Sequence, residues 1–79
     1  MTVQVIYYAQ LRQWADRGSE SFSGTITTGG ELWTILAARH GFSLDQKLVK
    51  LAVNDHYRDW DFPLNEGDTI VFIPPVAGG

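Results

Sequence analysis

A two-layer α+β domain, with one main helix packed on a mixed sheet of about five strands, is the fold class this sequence predicts. Three observations carry the expectation. β-Branched and aromatic residues fill Thr2–Ala9 and Thr69–Ile73 at the two ends of the chain. A single strongly signalled helix lies between them, opened by Thr28 and closed by Gly41. The elements run β, β, α, β, β, β, which places one long helix over one sheet instead of alternating strands with helices. With 79 residues there is one domain and one core, burying only about 60% of the surface the unfolded chain exposes. A deep private active site does not fit in that volume, so function is expected at an edge, on a face or in a tail.

Each element has its own signal. Over Thr2–Ala9, alternation puts Val3, Val5 and Tyr7 on one face and Thr2, Gln4, Ile6 and Tyr8 on the other, the second face turning apolar at its far end. Gln10–Arg17 is expected to form a short helical turn that buries Leu11 and Trp14 and stops at Gly18. Ser19–Thr27 reads as a short edge strand anchored by Phe22 and Ile26, with a turn at Gly24. Thr28-Gly29-Gly30-Glu31 has capping-box spacing, the Thr28 hydroxyl bonding the Glu31 N–H and the Glu31 side chain reaching back. Leu32, Ile35 and Leu36 then form the buried stripe, widened by Trp33 and Ala37. Ser43–Lys47 is a short helical connector, Leu48–Val53 a strand, Asn54-Asp55 a turn and Tyr57–Trp60 a second short strand. Pro63–Asp68 makes a tight polar turn into the final strand Thr69–Ile73, with Ile70 and Phe72 on one face and Thr69, Val71 and Ile73 on the other.

Composition removes whole classes of function. A formal charge of −3 with no run of Lys or Arg argues against nucleic-acid binding. No apolar stretch is long enough for a bilayer, and Gln4 and Arg12 bracket too short an apolar segment for a signal peptide, so a cytoplasmic protein is expected. With no cysteine, this chain has no disulfide, no thiolate metal site and no cysteine nucleophile. His40 sits at a helix end, where the dipole favours it, and His56 beside Asp55 lacks a third ligand at suitable spacing, so no metal site is expected. The glycine pair Gly29-Gly30 has no GxxxxGK context, and none of the serines lies in a nucleophile elbow. Asp59 and Asp61 read as a solvated hairpin rim, and Trp14, Trp33 and Trp60 as core or half-buried area.

Two features remain. Ile6 and Tyr8 on the first strand and Val71 and Ile73 on the last share an outward parity, with Tyr57 alongside, a patch of the kind that marks a partner surface. The chain then closes on Pro74-Pro75-Val76-Ala77-Gly78-Gly79. Two prolines stop strand pairing and stiffen the stem. Two glycines make a tip thin enough for a channel that admits no Cβ, ending in a single carboxylate. The plain alternative is a frayed glycine-rich terminus. The expected division is a domain over residues 1–73 and an extended tail over 74–79.

The opening Val5-Ile6-Tyr7-Tyr8-Ala9-Gln10-Leu11-Arg12, the turn Pro63-Leu64-Asn65-Glu66-Gly67-Asp68 and the ending Phe72-Ile73-Pro74-Pro75-Val76-Ala77-Gly78-Gly79 resemble the small subunit of molybdopterin synthase, the MoaD family of sulfur carriers. The likeness runs the length of the chain and departs in having tyrosines where that family commonly has phenylalanines. It implies a ubiquitin-like β-grasp fold and a heterotetrameric synthase in which catalytic side chains belong to the large subunit (MoaE type). Gly79 is then the residue adenylated by an E1-like adenylyltransferase (MoeB type) using ATP and magnesium, and converted through a sulfurtransferase to a thiocarboxylate. That group gives its sulfur to cyclic pyranopterin monophosphate in molybdenum cofactor biosynthesis. The resemblance implies no cofactor on this chain itself. It assigns slender passage to Gly78 and Ala77, exit direction to Pro74 and Pro75, and a partner-facing patch to Tyr8, Tyr57 and Ile73. The rival readings are a ThiS-like or other pathway's sulfur carrier, and a ubiquitin-like modifier or plain interaction module.

Overall fold

Strict alternation makes the first strand. In the computed structural model, which describes residues 1–75, β1 (Thr2–Tyr7) buries Val3, Val5 and Tyr7 and turns Thr2, Gln4 and Ile6 the other way. There follow α1 (Ala9–Ala15), β2 (Ser19–Ser23), α2 (Gly29–His40), a 3-10 turn (Gln46–Leu48), β3 (Lys50–Val53), β4 (His56–Arg58) and β5 (Thr69–Ile73). The sheet order is β2-β1-β5-β3-β4, with β1 and β5 parallel at its centre and every other pair antiparallel. The two ends of the chain therefore supply the middle of the sheet. Leu32, Trp33 and Leu36 of α2 pack on its inner face, where the Trp33 ring meets Phe72 edge-on at 5.2 Å. Among the described residues no helix is long and apolar enough to cross a membrane.

Several boundaries differ from expectation, each for a local reason. In α1 the buried pair is Leu11 and Ala15, one turn apart, while Trp14 is 38% exposed with its ring near that of Phe42. That helix stops at Asp16, not Gly18: Asp16 takes φ 57° and its N–H reaches the Arg12 and Gln13 carbonyls. In α2 the stripe is Leu32, Trp33 and Leu36, leaving Ile35 36% exposed. Trp33 packs against Phe42, Trp60 and Phe72 at once, which rotates the helix toward its own side. Thr28 caps as expected, accepting the Glu31 N–H at 3.2 Å, but the Glu31 carboxylate takes the Thr27 hydroxyl instead of a backbone donor. The connector turn falls at Gln46–Leu48, so β3 starts at Lys50, and β4 ends at Arg58.

The glycine pair at the start of α2 serves packing. A Cβ on Gly29 would run into the Leu51 side chain, and the Gly30 N–H donates to the Trp60 carbonyl at 2.8 Å. Gly41 closes the helix at φ 72°, as its position suggested.

The turn into β5 is pinned by one buried carboxylate. Asp68 accepts the Asn65 N–H at 2.8 Å and the Asn54 side-chain amide at 2.9 Å. Asn54 in turn exchanges bonds with Thr69, its Oδ1 accepting the Thr69 N–H and its own N–H donating to the Thr69 carbonyl. The β3–β4 hairpin and the root of β5 are thereby fastened together, which holds the register of the strand that leads into the tail.

A second polar cluster ties α2 to the edge strand. Glu20 Oε2 accepts the Tyr7 hydroxyl at 2.5 Å and lies 2.5 Å from His40 Nε2, with Arg17 at 3.7 Å from Oε1. Burial raises the Glu20 carboxyl, but the Tyr7 and His40 hydrogen bonds and the His40 and Arg17 charges outweigh it and hold it below its ordinary pKa. Burial, with the Glu20 hydrogen bond and charge added, pushes the Tyr7 phenol far up, so it stays a neutral donor. A carboxylate with a depressed native pKa stabilises the fold above its unfolded value of about 4.3, and that contribution fades as pH falls through the lower native value. Glu20→Gln should cost about 2 kcal/mol at neutral pH and flatten the loss of stability on acidification. Urea unfolding at neutral pH and near about pH 3 measures both; an unchanged acid slope in the variant would remove Glu20 from this role.

Candidate docking face and tail exit

The sheet's outer face divides sharply in polarity. Toward β2 it carries Thr2, Gln4, Ser21 and Ser23, joined by Thr2–Ser23 and Gln4–Ser21 hydrogen bonds. At the other end of β1 and β5 it is apolar. Register places Ile6 beside Val71, Val71 beside Ala52 and Ala52 beside Tyr57, one row across four strands. In the next row Ile73 stands beside Lys50 on one flank. Tyr8, directly after the Tyr7 that pairs with Phe72, continues β1 on the other. Ile6, Val71 and Ile73 are half-buried, while Tyr8 and Tyr57 are 51% and 72% exposed.

These side chains enclose a shallow depression of about 240 Å³, lined by Tyr8, Ala52, Asp55, Tyr57, Val71 and Ile73. Its floor is Ala52, 7% exposed yet outside the domain's core cluster, because Val71 and Tyr57 overshadow a single methyl between them. Asp55 is the one charged group in the lining. A larger groove of about 710 Å³ runs along β4, lined by Lys50, Arg58, Asp59 and Asp61 together with Leu51, Tyr57 and Phe62, and Arg58 already lies over the Phe62 ring at 4.5 Å. Two cations and two carboxylates in its lining make it the more polar of the two and the poorer site for an apolar partner.

All five residues expected on the patch, Ile6, Tyr8, Tyr57, Val71 and Ile73, thus lie together on one face. Ile73 is the last residue of β5, so the chain leaves the sheet at the edge of that patch. Pro74 is buried against the domain and Pro75 is exposed. The remaining tail positions named from the sequence, Val76, Ala77, Gly78 and Gly79, lie outside the described residues. Sequence reasoning missed Ala52 and Asp55. The run Leu51-Ala52-Val53 shows no polar alternation to mark Ala52 as outward, and its small size beside large neighbours was the available signal. The tyrosine substitutions divide in effect: the Tyr7 hydroxyl is spent inside on Glu20, and Tyr8 adds a phenol outside.

Five mixed strands in this order, with α2 packed on one face, define a ubiquitin-like β-grasp domain. The ThiS family model matches residues 5–79. The molybdopterin synthase sulfur carrier subunit of Escherichia coli (strain K12) is 30% identical over 80 residues, covering 98% of this chain and 99% of that one. A Pyrococcus furiosus structure described as molybdopterin converting factor, subunit 1, superposes with a TM-score of 0.80 at 29% identity, covering 96% of this chain and 99% of its own. A complex of subunits 1 and 2 of molybdopterin-converting factor from Helicobacter pylori matches with a TM-score of 0.70 at 29% identity, over 100% of both chains. The chain belongs to the ThiS/MoaD family of β-grasp proteins.

Proposed function

We propose that this protein is the sulfur-carrier small subunit of a molybdopterin synthase. The observation that carries the reading is full-length similarity to a molybdopterin synthase sulfur carrier subunit. The apolar face at the root of a Gly-Gly end is consistent with it. Gly79 is the reacting residue. One of its carboxylate oxygens attacks the α-phosphorus of ATP on an E1-like adenylyltransferase of MoeB type, magnesium-assisted, and pyrophosphate leaves. The acyl-adenylate carbon then accepts sulfur from the persulfide of a sulfurtransferase, AMP leaves, and thiol cleavage of the S–S bond frees a thiocarboxylate.

A thiocarboxylate is ionised at neutral pH and carries a soft nucleophilic sulfur, which lets a chain without cysteine deliver sulfur. The tail enters the large subunit (MoaE type), where cyclic pyranopterin monophosphate receives the sulfur, and two deliveries build the dithiolene. The protein is thus the donor half of a sulfurtransferase, with the catalytic side chains on its partner. Ile6, Tyr8, Tyr57, Val71 and Ile73 form the docking face, and the activating enzyme and the large subunit alternate on it.

The intact mass of the protein isolated from sulfur-replete cells tests this. A sulfur-for-oxygen increase at the C-terminal peptide is expected. Lysine conjugates would make it a modifier instead, and an unaltered mass would leave a plain interaction module.

A further inference from the structure

The depression on the outer face has a specific shape and a specific charge, and both say what fills it. In the row Ile6, Val71, Ala52 and Tyr57, the methyl of Ala52 lies between two larger side chains, Val71 and Tyr57. The resulting hollow of about 240 Å³ has room for a single aliphatic or aromatic side chain, with Val71, Ile73 and the two tyrosine rings as walls. Asp55 stands at its rim as the only charged lining residue. Among the described residues it takes part in no ion pair.

The backbone at Asp55 fixes where that carboxylate stands. Asn54 and Asp55 form the two-residue connection between β3 and β4 with φ 51° and 71°. Both central residues of such a turn need positive φ, and glycine is the favoured residue at the second. An aspartate there holds a less comfortable conformation than glycine would. Aspartate is nonetheless one of the few other residues that adopt it readily, so the turn itself accounts for Asp55, and the consequence is an exposed carboxylate held in place beside the apolar hollow.

We infer that the depression over Ala52 receives one apolar side chain of the partner protein, and that Asp55 pairs with a lysine or arginine next to it on the same partner. The inference rests on the carrier reading and specifies the chemistry of its docking site. Ala52 and Asp55 are specificity-determining residues of that surface. The chain's net charge of −3 favours a cationic counterpart in the same sense.

Titration calorimetry with the molybdopterin synthase large subunit from the same organism, at low and high ionic strength, tests this on three proteins. Wild type is expected to bind more weakly as salt rises. Asp55→Gly, whose turn is relieved, should unfold at a temperature no lower than wild type. It should nevertheless bind about three- to tenfold more weakly at low salt and lose most of the salt dependence. Ala52→Leu fills the hollow from outside the core and should weaken binding on the order of thirtyfold while remaining folded. Asp55→Gly that binds like wild type, or that weakens with its salt dependence intact, overturns the inference while wild-type binding keeps the carrier reading. Failure of wild type to bind the large subunit removes the carrier reading and this inference with it.

Discussion

A single residue appended after Gly79 should abolish sulfur transfer and leave the domain as stable as before. The proposed chemistry needs the acyl carbon of the last glycine at two successive active sites, first for adenylation and then for delivery. One more residue moves the terminal carbonyl by about 3.5 Å and replaces it with an unreactive amide. Misplacement of about 1 Å can already cost a hundredfold in rate. An appended residue other than glycine would also add a Cβ to a tip whose last two residues have none. The fold is indifferent to the change, because the core cluster runs from Val3 to Phe72. The measurement is molybdopterin formation with the large subunit and activating enzyme supplied, beside a thermal melt and an intact mass to exclude trimming. An untrimmed extended protein that still supports synthesis would end the tail mechanism.

The parts of this protein that were legible in its sequence are those where one local rule acts without competition. β5 was read at its true bounds because strict alternation over Thr69–Ile73 lies between a Gly-Asp turn and a diproline. The Thr28 cap and the Gly41 stop were legible because each is set by one residue's own chemistry. Trp14 and Ile35 were misplaced because a helix's buried face is chosen by its neighbours. Trp33 is held among Phe42, Trp60 and Phe72, and that packing turned α2 away from the stripe that spacing alone favoured. The site shows the same division. Outward parity found Ile6, Tyr8, Val71 and Ile73, whereas the hollow exists only once β3 pairs with both β5 and β4 and sets Ala52 between Val71 and Tyr57. A depression is a property of three strands in register, and no single segment of sequence contains it. Asp68 lies between the two cases. The Gly-Asp turn was visible, but the Asn54 contact that fastens it to the β3–β4 hairpin spans 14 residues.

Ile73→Asp should weaken binding to the large subunit by at least about a hundredfold without unfolding the protein. The two halves of that statement have different physical origins. In the free protein Ile73 is half-buried on the outer face and opposite Lys50, so an aspartate there keeps access to water and gains an opposite charge across the strand pair. Cross-strand charge pairs of this kind contribute about 0.2–1 kcal/mol, enough to offset part of the lost β-propensity. In the complex the same carboxylate forms a wall of the apolar hollow and loses its water, and burying a charge without a partner costs several kcal/mol. Phe72→Asp is the control for strand parity. Its side chain is fully buried between α2 and the sheet, so that variant should fail to fold. Circular dichroism melts separate the two variants, and titration calorimetry reads the affinity of Ile73→Asp. Wild-type affinity would take Ile73 out of the interface. Unfolding of Ile73→Asp alongside Phe72→Asp would mean that both faces of β5 are needed to hold the sheet, and that the outer face is no surface set aside for a partner.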